Sequence, residues 1–370
     1  MSGVAERSGP AVERRPSALK RLIGRTGYLV AGDGRLSGRI GGLVSPFVTG
    51  LRGITQGRAW RPELVETPSL DYRLIVGARA GQGSVAVSVE GDVLRIVQHV
   101  GRRVIGWGSV PLPVGVARGG AVVDASGLGD VLREAFGRLR LPRRRVVAAI
   151  SGLHARASLL DLPWVKEHEL DDVVADEVSR SLGVTTDDSY VFWQRLPGRR
   201  RERYVYVVAL PRETLLRCLE AYEVAGLSLE SLDLKPLALA RAVNQRDAIV
   251  VNLERESLDV VVVVDDLPVL FRSVALPAGV IPQDALCDQG AAEVCRALAT
   301  CEDAVPAGYA LDRTAAIYVS GSEVGGIALA ERLRSATGRP IGRPTPPMHL
   351  PTDFPLTEQL VNVGLALKQP

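Results

Sequence analysis

Two short polar turns, each enclosed by apolar runs, are the stretches of this sequence that could do chemistry. The first is SVEG at 88–91 and the second is NLE at 252–254. A turn of this shape between two strands can hold a phosphate group, because its backbone N–H groups form an anion-binding concavity. That chemistry favours an aspartate to anchor a metal ion and a glycine to allow close approach. The candidate site residues are Ser88, Glu90, Gly91, Asn252 and Glu254.

The same succession of elements surrounds both turns. Three strand-like runs occupy 84–113, and a predicted helix at 129–139 and the strand RVVAAIS follow them. Three strand-like runs occur again at 248–276. An internal repeat of this length predicts two similar halves whose equivalent turns face each other across a cleft. We therefore predict an α/β fold with a first half at 83–245 and an abbreviated second half at 246–370.

A compact unit interrupts the first half at about 155–206. It contains a strand-like run, a helix that ends at Gly183, and a hairpin formed by SYVFWQRL and RYVYVVAL. This order of elements predicts an inserted strand-helix-strand-strand subdomain. Among its aromatic residues, Trp164 precedes the helix, whereas Phe192 and Trp193 are adjacent in a strand and therefore point to opposite faces.

The composition is that of a soluble globular protein, with 46% hydrophobic and 24% charged residues in a chain of 370. The net charge of +3 is too small to indicate a nucleic-acid partner. The four cysteines form no C-x-x-C pair of the kind that metal and redox sites use. No apolar run reaches the roughly 18 to 20 residues that span a bilayer, and the N-terminus does not resemble a signal peptide. We therefore expect a cytoplasmic protein without a nucleic-acid partner.

Residues 1–82 have a different composition from the rest. Ten Lys or Arg residues precede Arg61, against three acidic residues, and glycines interrupt the segment repeatedly. Such a sequence buries too little apolar surface to offset the entropy of ordering it, which predicts a disordered tail. The alternative is a weak contact with anionic lipid, since each basic residue near such a surface contributes about 1 kcal/mol.

Several stretches together resemble the PilM family of type IV pilus assembly proteins, relatives of the division protein FtsA. They are VAVSVEGDVLRIV, HELDDVVADEVSRSLGV, 204–243, 248–276, IYVSGSEVGG and LVNVGLALK. The resemblance covers about residues 84–370 and implies the duplicated ribonuclease H-like fold of actin, with the inserted subdomain. It also implies a cytoplasmic scaffold, peripheral at the inner face of the membrane, that binds ATP with Mg²⁺ and holds the N-terminal peptide of the membrane protein PilN.

At the implied nucleotide site this sequence departs from the family pattern. The two metal-anchoring aspartates of the family correspond to Ser88 and Asn252, and its close-approach glycines correspond to Glu90 and Glu254. These replacements remove the metal anchor and bring carboxylates toward the phosphates, so we expect a degenerate site and no cofactor. The second half also lacks the family's segment that contributes to the ribose and adenine pocket. Three further residues of the degenerate site are Gly321 and Ser322 in the adenosine motif, and Gly325 at a helix start.

The resemblance implies that a PilN-like peptide lies between the inserted subdomain and the first half. We expect Trp164, Val173 and Trp193 to contribute to that groove. One of Phe192 and Trp193 should fill the subdomain's core, while the other faces outward as an anchor. The alternative is that all of the aromatic residues close the small core of the subdomain itself.

Three functions remain open from the sequence. The leading one is a non-catalytic adaptor of a type IV pilus or related secretion machine, able to form homo-oligomers. The second is an active ATPase or small-molecule kinase of the same fold, which would need an acid elsewhere to replace the lost pair. The third is the cytoplasmic component of a type II secretion system, although that family usually ends in a transmembrane helix and this chain ends at LALKQP.

Overall fold

The protein is built around two similar sheets, as a computed structural model shows. Strands and helices are numbered in chain order. The structure describes residues 28–30, 73–76, 83–162, 169–196, 204–277, 282–304, 309–322 and 327–368.

The strands of the first sheet are β2 (Arg73–Val76), β3 (Ser84–Glu90), β4 (Val93–Val100), β5 (Arg103–Pro111), β8 (Val146–Ile150) and β12 (Leu229–Leu234). The sheet contains four strands in antiparallel succession, β3, β4, β5 and β2, and two further strands, β8 and β12, that run parallel to β3. The strand order is β12-β8-β3-β4-β5-β2, with β2 at the outer edge. Almost every position of β3 and β4 is buried, because elements cover both faces of the sheet.

The second sheet repeats this arrangement. Its strands are β13 (Ala248–Leu253), β14 (Ser257–Val264), β15 (Leu267–Ala275), β16 (Ala316–Ser320) and β17 (Ile341–Gly342). The order β15-β14-β13-β16-β17 corresponds strand by strand to β5-β4-β3-β8-β12 of the first sheet. The predicted α/β class and the predicted duplication are therefore confirmed.

Helices α4 and α7 connect the parts of the molecule. The helices outside the insert are α1 (Ala125–Arg138), α3 (Arg212–Val224), α4 (Lys235–Val243), α5 (Gln283–Ala304), α6 (Ile327–Thr337) and α7 (Leu360–Ala366). Helix α4 contacts strands of both sheets. A short ribbon, β6 (Ala117–Arg118) with β7 (Ala121–Val122), precedes α1. No helix in the described part of the chain is long and apolar enough to cross a membrane.

Helix α1 begins four residues before its predicted start at residue 129. The side chain of Asp124 accepts a hydrogen bond from the Gly127 N–H at 3.0 Å, which caps the first turn. Gly129 lies inside the helix because a Cβ there would come within 2.4 Å of Val224 on α3. The glycines therefore permit close helix packing and do not break the helix.

The inserted subdomain has the predicted strand-helix-strand-strand order. Its elements are β9 (Arg156–Asp161), α2 (Leu170–Leu182), β10 (Ser189–Arg195) and β11 (Tyr204–Pro211), with Gly183 in the left-handed conformation after α2. A fourth strand, β1 (Tyr28–Val30), pairs antiparallel with the edge of β10. One face of the sheet packs on α2, and the other joins the main core of the protein.

Two segments of residues 1–82 differ from the expected disordered tail. Strand β1 extends the insert sheet, and β2 pairs antiparallel with β5 of the first sheet. The remainder of that expectation falls on residues that lie outside the described part of the chain.

The C-terminal helix α7 completes the first half, although the expected boundary places it in the second. It packs against α4 and against β3, β4 and β8. Its apolar residues Leu360, Val363 and Leu365 are fully buried there. The backbone of Gly364 approaches α4 so closely that a Cβ would lie 1.9 Å from the Ala238 carbonyl oxygen. The two halves are therefore interlocked through this helix.

Candidate functional site

The two polar turns meet, as predicted, at the junction of the halves. The Gly119 N–H donates to Glu256 Oε2 at 3.3 Å, and Arg255 lies 3.5 Å from Asp92 on the opposite turn. Gly91 adopts the left-handed conformation with φ of 60° and lies against the backbone of Glu256. The space between the turns is therefore lined by protein groups from both halves.

A buried lysine bridges acidic residues of both halves. Lys235 is the first residue of α4, and its Nζ contacts a carboxylate oxygen of Glu90 and lies 2.8 Å from Asp259 Oδ2. The other oxygen of Asp259 accepts a hydrogen bond from Ser273 Oγ at 2.5 Å. All three charged groups are at most 2% exposed. A lysine at a helix N-terminus is opposed by the helix dipole, and the two carboxylates compensate for that cost.

A second buried ion pair lies beside the first. Arg95 on β4 donates two hydrogen bonds to the carboxylate of Glu254, at 2.6 and 2.9 Å. Its guanidinium also donates to the Glu358 carbonyl oxygen at 2.6 Å, and Ser322 Oγ donates to Glu254 at 2.6 Å. A bidentate arginine–carboxylate pair of this kind is geometrically specific and strong. We call Glu90, Arg95, Lys235, Glu254 and Asp259 the cleft ion cluster.

The cleft ion cluster follows the internal repeat. In the first half Ser88 is paired across the ladder with Arg95, and in the second half Asn252 is paired with Asp259. Glu90 and Glu254 each lie two residues beyond these positions. Arg95 therefore reaches across to Glu254, whereas the equivalent contact of Asp259 with Glu90 would join two acids. Lys235 lies between those two acids and separates their charges.

The charges of the cluster shift the pKa values of its members. Burial raises the pKa of Glu90, and the neighbouring Glu254 adds to this effect, although Lys235 and Arg95 oppose it. Burial acts to lower the pKa of Lys235, but the carboxylates of Asp259 and Glu90 outweigh it and raise that pKa above its ordinary value. With three carboxylates and two cations, a proton retained on Glu90 leaves the cluster electrically neutral.

The positions that correspond to the metal-anchoring aspartates hold neutral side chains. Asn252 Oδ1 accepts a hydrogen bond from Ser320 Oγ at 2.8 Å, and both residues are buried. Ser88 is also buried, and its hydroxyl has no hydrogen-bond partner among the described residues. Neither residue offers the anionic oxygen that Mg²⁺ sites in proteins use.

The predicted adenosine motif is only partly described. Gly321 has a φ of 111°, and a Cβ there would come within 2.0 Å of the Leu253 carbonyl oxygen, so this glycine allows β16 to end against β13. Ser322 is exposed and bonds Glu254 through its hydroxyl. Gly325 lies outside the described residues.

The expectation that one of Phe192 and Trp193 is exposed is wrong. Both are buried, because their strand is covered on one face by α2 and on the other by the main core. The Trp193 indole N–H donates to Asp171 Oδ1 at 3.1 Å, which fixes the start of α2 on the sheet. Val173 is half-buried at the edge of this small core, and Trp164 lies outside the described residues.

Three members of the cluster, Arg95, Lys235 and Asp259, are not among the residues predicted from the sequence. Arg95 interrupts the apolar run VLRIV, and Asp259 interrupts SLDVVVVV. A charged residue inside an apolar strand of this kind is the signal that could have identified them, since a buried charge requires a partner. The active ATPase alternative would need an acid to replace the lost aspartate pair, and Asp259 is an acid in the cleft. Its carboxylate, however, is bound to Lys235 and Ser273.

Comparisons with known proteins agree with this architecture. No family model matches the sequence, and no curated protein matches it. A solved structure of a PilM–PilN type IV pilus biogenesis complex is similar, with a TM-score of 0.63 and 20% identity, over 78% of this chain and 98% of that one. The ethanolamine utilization protein EutJ from Carboxydothermus hydrogenoformans is also similar. It has a TM-score of 0.44 and 15% identity, over 77% of this chain and 89% of that one.

The cytoplasmic domain of EpsL, an inner-membrane component of the type II secretion system of Vibrio cholerae, is also similar. It has a TM-score of 0.46 and 11% identity, over 77% of this chain and 95% of that one. The sequence resemblance to PilM is thus confirmed at the level of the fold by the first of these structures. The protein has the actin-like fold, with the inserted subdomain between strands of its first half.

Proposed function

We propose that this protein is a non-hydrolytic scaffold of a type IV pilus or a related secretion machine. In this proposal it acts in the cytoplasm at the inner face of the membrane and binds the N-terminal peptide of a PilN-like inner-membrane protein. The fold shared with a PilM–PilN complex supports the class of machine. The cleft ion cluster is the observation that supports a role without ATP hydrolysis.

Mg²⁺ and ATP do not fit the residues of the cleft. The side chains at the two metal-anchoring positions are neutral, and the nearby carboxylates of Glu90 and Glu254 are bound to Lys235 and Arg95. A polyphosphate placed between the turns would have to break buried ion pairs and would then face three carboxylates. Each broken pair would leave an uncompensated buried charge, which costs about 3–5 kcal/mol.

Calorimetric titration of the full chain with ATP and Mg²⁺ tests this part of the proposal. We expect no binding tighter than a dissociation constant of about 10 μM, which corresponds to roughly −7 kcal/mol. Tighter binding would favour the active ATP-binding alternative. The matched variant is Glu90→Gln with Glu254→Gln, which removes two carboxyl groups from the cleft. If the doubly substituted protein gains affinity for ATP, then the carboxylates are the cause of exclusion.

Binding of a membrane-protein peptide tests the part of the proposal that concerns the partner. Helix α2 packs on the face of the insert sheet opposite the main core, so Val173 lies away from the expected groove between the insert and the first half. In this proposal the peptide instead lies along α2 beside Val173, and Trp193 supports the helix from within the core. We expect the N-terminal peptide of the candidate inner-membrane partner to co-purify with the full chain. Val173→Lys should weaken co-purification at least tenfold, because it places a charge on the apolar side of α2.

The control for the peptide experiment is Asp176→Lys, an exposed residue one turn along the same helix. This change should leave co-purification within twofold of the unmodified protein. Equal losses from both variants would indicate a general charge effect. Unweakened binding by Val173→Lys, with its helical circular dichroism unchanged, would place the groove elsewhere.

A further inference from the structure

The end of the first sheet opposite the cleft carries a dense group of exposed arginines. Arg102 lies in the turn between β4 and β5 and Arg103 begins β5, while Arg144 and Arg145 lie in the loop before β8. None of these four forms an ion pair or a side-chain hydrogen bond with any residue that the structure describes. They are therefore open to an external anion.

The topology brings the two arginine loops to one edge. Strand β3 lies between β4 and β8, and the Val85 N–H donates to the Arg145 carbonyl oxygen at 3.1 Å. Gly83, at the start of β3, lies directly against His99 and Val100. Two strand spacings of about 4.8 Å separate the loops by roughly 10 Å. The four guanidinium groups thus project from one row of strand ends.

The edge also offers apolar surface. Val100 is 49% exposed at the tip of the same turn, beside Arg102 and Arg103. Burial lowers the pKa of His99, and an acidic residue, Glu230 at the start of β12, lies near enough for its charge to oppose that shift. Glu230 is half-buried. Neither loop holds an aromatic side chain on which a nucleic-acid base could stack. Basic groups around an exposed aliphatic residue fit a lipid surface better than a nucleic acid.

We propose that this basic edge, defined by Val100, Arg102, Arg103, Arg144 and Arg145, binds the headgroups of an anionic phospholipid membrane. The inference uses only this surface and does not depend on the function proposed for the cleft or the insert.

Co-sedimentation of the full chain with vesicles tests the proposal. The vesicles contain 30% phosphatidylglycerol in phosphatidylcholine, and pure phosphatidylcholine vesicles provide the uncharged comparison. We expect binding only to the anionic vesicles, weakening as salt is added. The triple substitution Arg102→Gln, Arg103→Gln and Arg144→Gln should weaken binding at least tenfold, since each arginine contributes about fivefold.

The matched control removes three exposed arginines elsewhere, namely Arg118→Gln, Arg313→Gln and Arg334→Gln. It lowers the net charge equally, and we expect less than a threefold loss. A corresponding triple substitution by lysine at the edge should keep binding, because the charge is retained. Equal losses from the edge and control variants would overturn the proposal, and so would unweakened binding by the edge variant.

A further arm separates lipid from nucleic acid. Val100→Ser should weaken vesicle binding and leave unchanged any binding of a single-stranded oligonucleotide. If the oligonucleotide binds more tightly than the vesicles and loses affinity with the same triple substitution, then the edge is a nucleic-acid surface and the membrane assignment is wrong.

Discussion

At the residue scale, the cleft ion cluster shows how a repeated site can become asymmetric. One half supplies Arg95 and the other supplies Asp259 at equivalent ladder positions, so only one of the two cross-cleft contacts is favourable by itself. Lys235 compensates for the other contact, in which Glu90 and Asp259 would otherwise repel each other. The cluster therefore depends on Lys235 to join the carboxylates of Glu90 and Asp259.

This dependence predicts a large effect of Lys235→Met on stability. Methionine nearly preserves the shape of the side chain but leaves Glu90 and Asp259 as adjacent buried acids. We expect the free energy of unfolding to fall by about 3–5 kcal/mol, as measured by urea denaturation. The control is Arg217→Met, which breaks an exposed pair with Glu213 and should change stability by less than about 1 kcal/mol. Similarly small losses of unfolding free energy in both variants would show that the cleft ion cluster contributes little to stability.

The raised pKa of Glu90 predicts a pH dependence of stability. The folded state keeps a proton on this carboxyl at pH values where the unfolded chain, with a pKa near 4.5, has released it. The stabilisation is therefore complete below the unfolded pKa and is lost as pH rises through the folded value. We expect Glu90→Gln to flatten the fall in unfolding free energy as the pH rises above 4.5. Parallel curves for the two proteins in urea denaturation would contradict this assignment.

The sequence predicts the turn residues of the cleft but not their partners. Glu90 and Glu254 follow from the repeat, because the repeated strands define where each turn lies. Arg95 and Glu254 are 159 residues apart, and no local pattern connects them. An interpretation of the turns without Arg95 and Lys235 therefore leaves the two glutamates facing a ligand. The same limitation applies to Trp193, whose burial depends on what covers each face of its sheet.

At the element scale, the spacing of apolar residues predicts most strands and helices. Within each of these elements the apolar residues keep a single spacing, that of a strand or that of a helix. The inserted hairpin and α2 with its glycine stop follow from such local signals. The start of α1 does not follow from local signals, because glycine is unfavourable inside helices. Gly129 is accommodated in α1 because the helix packs closely against Val224, which lies on a helix distant in sequence. The addition of β1 and β2 to two sheets also cannot be derived from a segment whose composition predicts disorder.

Close approach of α7 to α4 predicts that Gly364→Ala is destabilising. The added methyl group would clash with the Ala238 carbonyl and force the helices apart, at a cost of about 1–3 kcal/mol. The control is Gly137→Ala in α1, where nothing lies closer than 3.8 Å and the change should stabilise by about 0.5–1 kcal/mol. Thermal unfolding of both proteins measures the difference in sign. An increase in stability with Gly364→Ala would contradict the packing of α7.

At the scale of the whole molecule, α7 and Lys368, two residues beyond its end, hold the first half together. Lys368 Nζ donates to the Leu232 carbonyl oxygen at 2.7 Å and lies 3.9 Å from the buried carboxylate of Asp233. Burial lowers the pKa of Lys368 to about 8, while Asp233 opposes that effect. The end of the chain therefore contributes both apolar surface and charge to a core that begins at residue 83.

Truncation after residue 359 tests this role. Loss of α7 would expose the faces of α4, β3 and β8 that it covers, so we expect an insoluble protein or one without a cooperative thermal transition. The control is a chain that ends at Lys368, which keeps α7 and should unfold like the full protein. A soluble, cooperatively unfolding chain of 359 residues would show that the first half is complete without this helix.

The position of α7 also bears on the order in which the protein can be made. This helix follows every strand of both sheets in the chain, yet it belongs to the sheet that is synthesised first. The earlier half must therefore leave the ribosome with an uncovered apolar surface and wait for the later half to be translated. Exposed intermediates of this kind are prone to aggregate, so a chaperone that shields the nascent first sheet would improve the yield of folded protein.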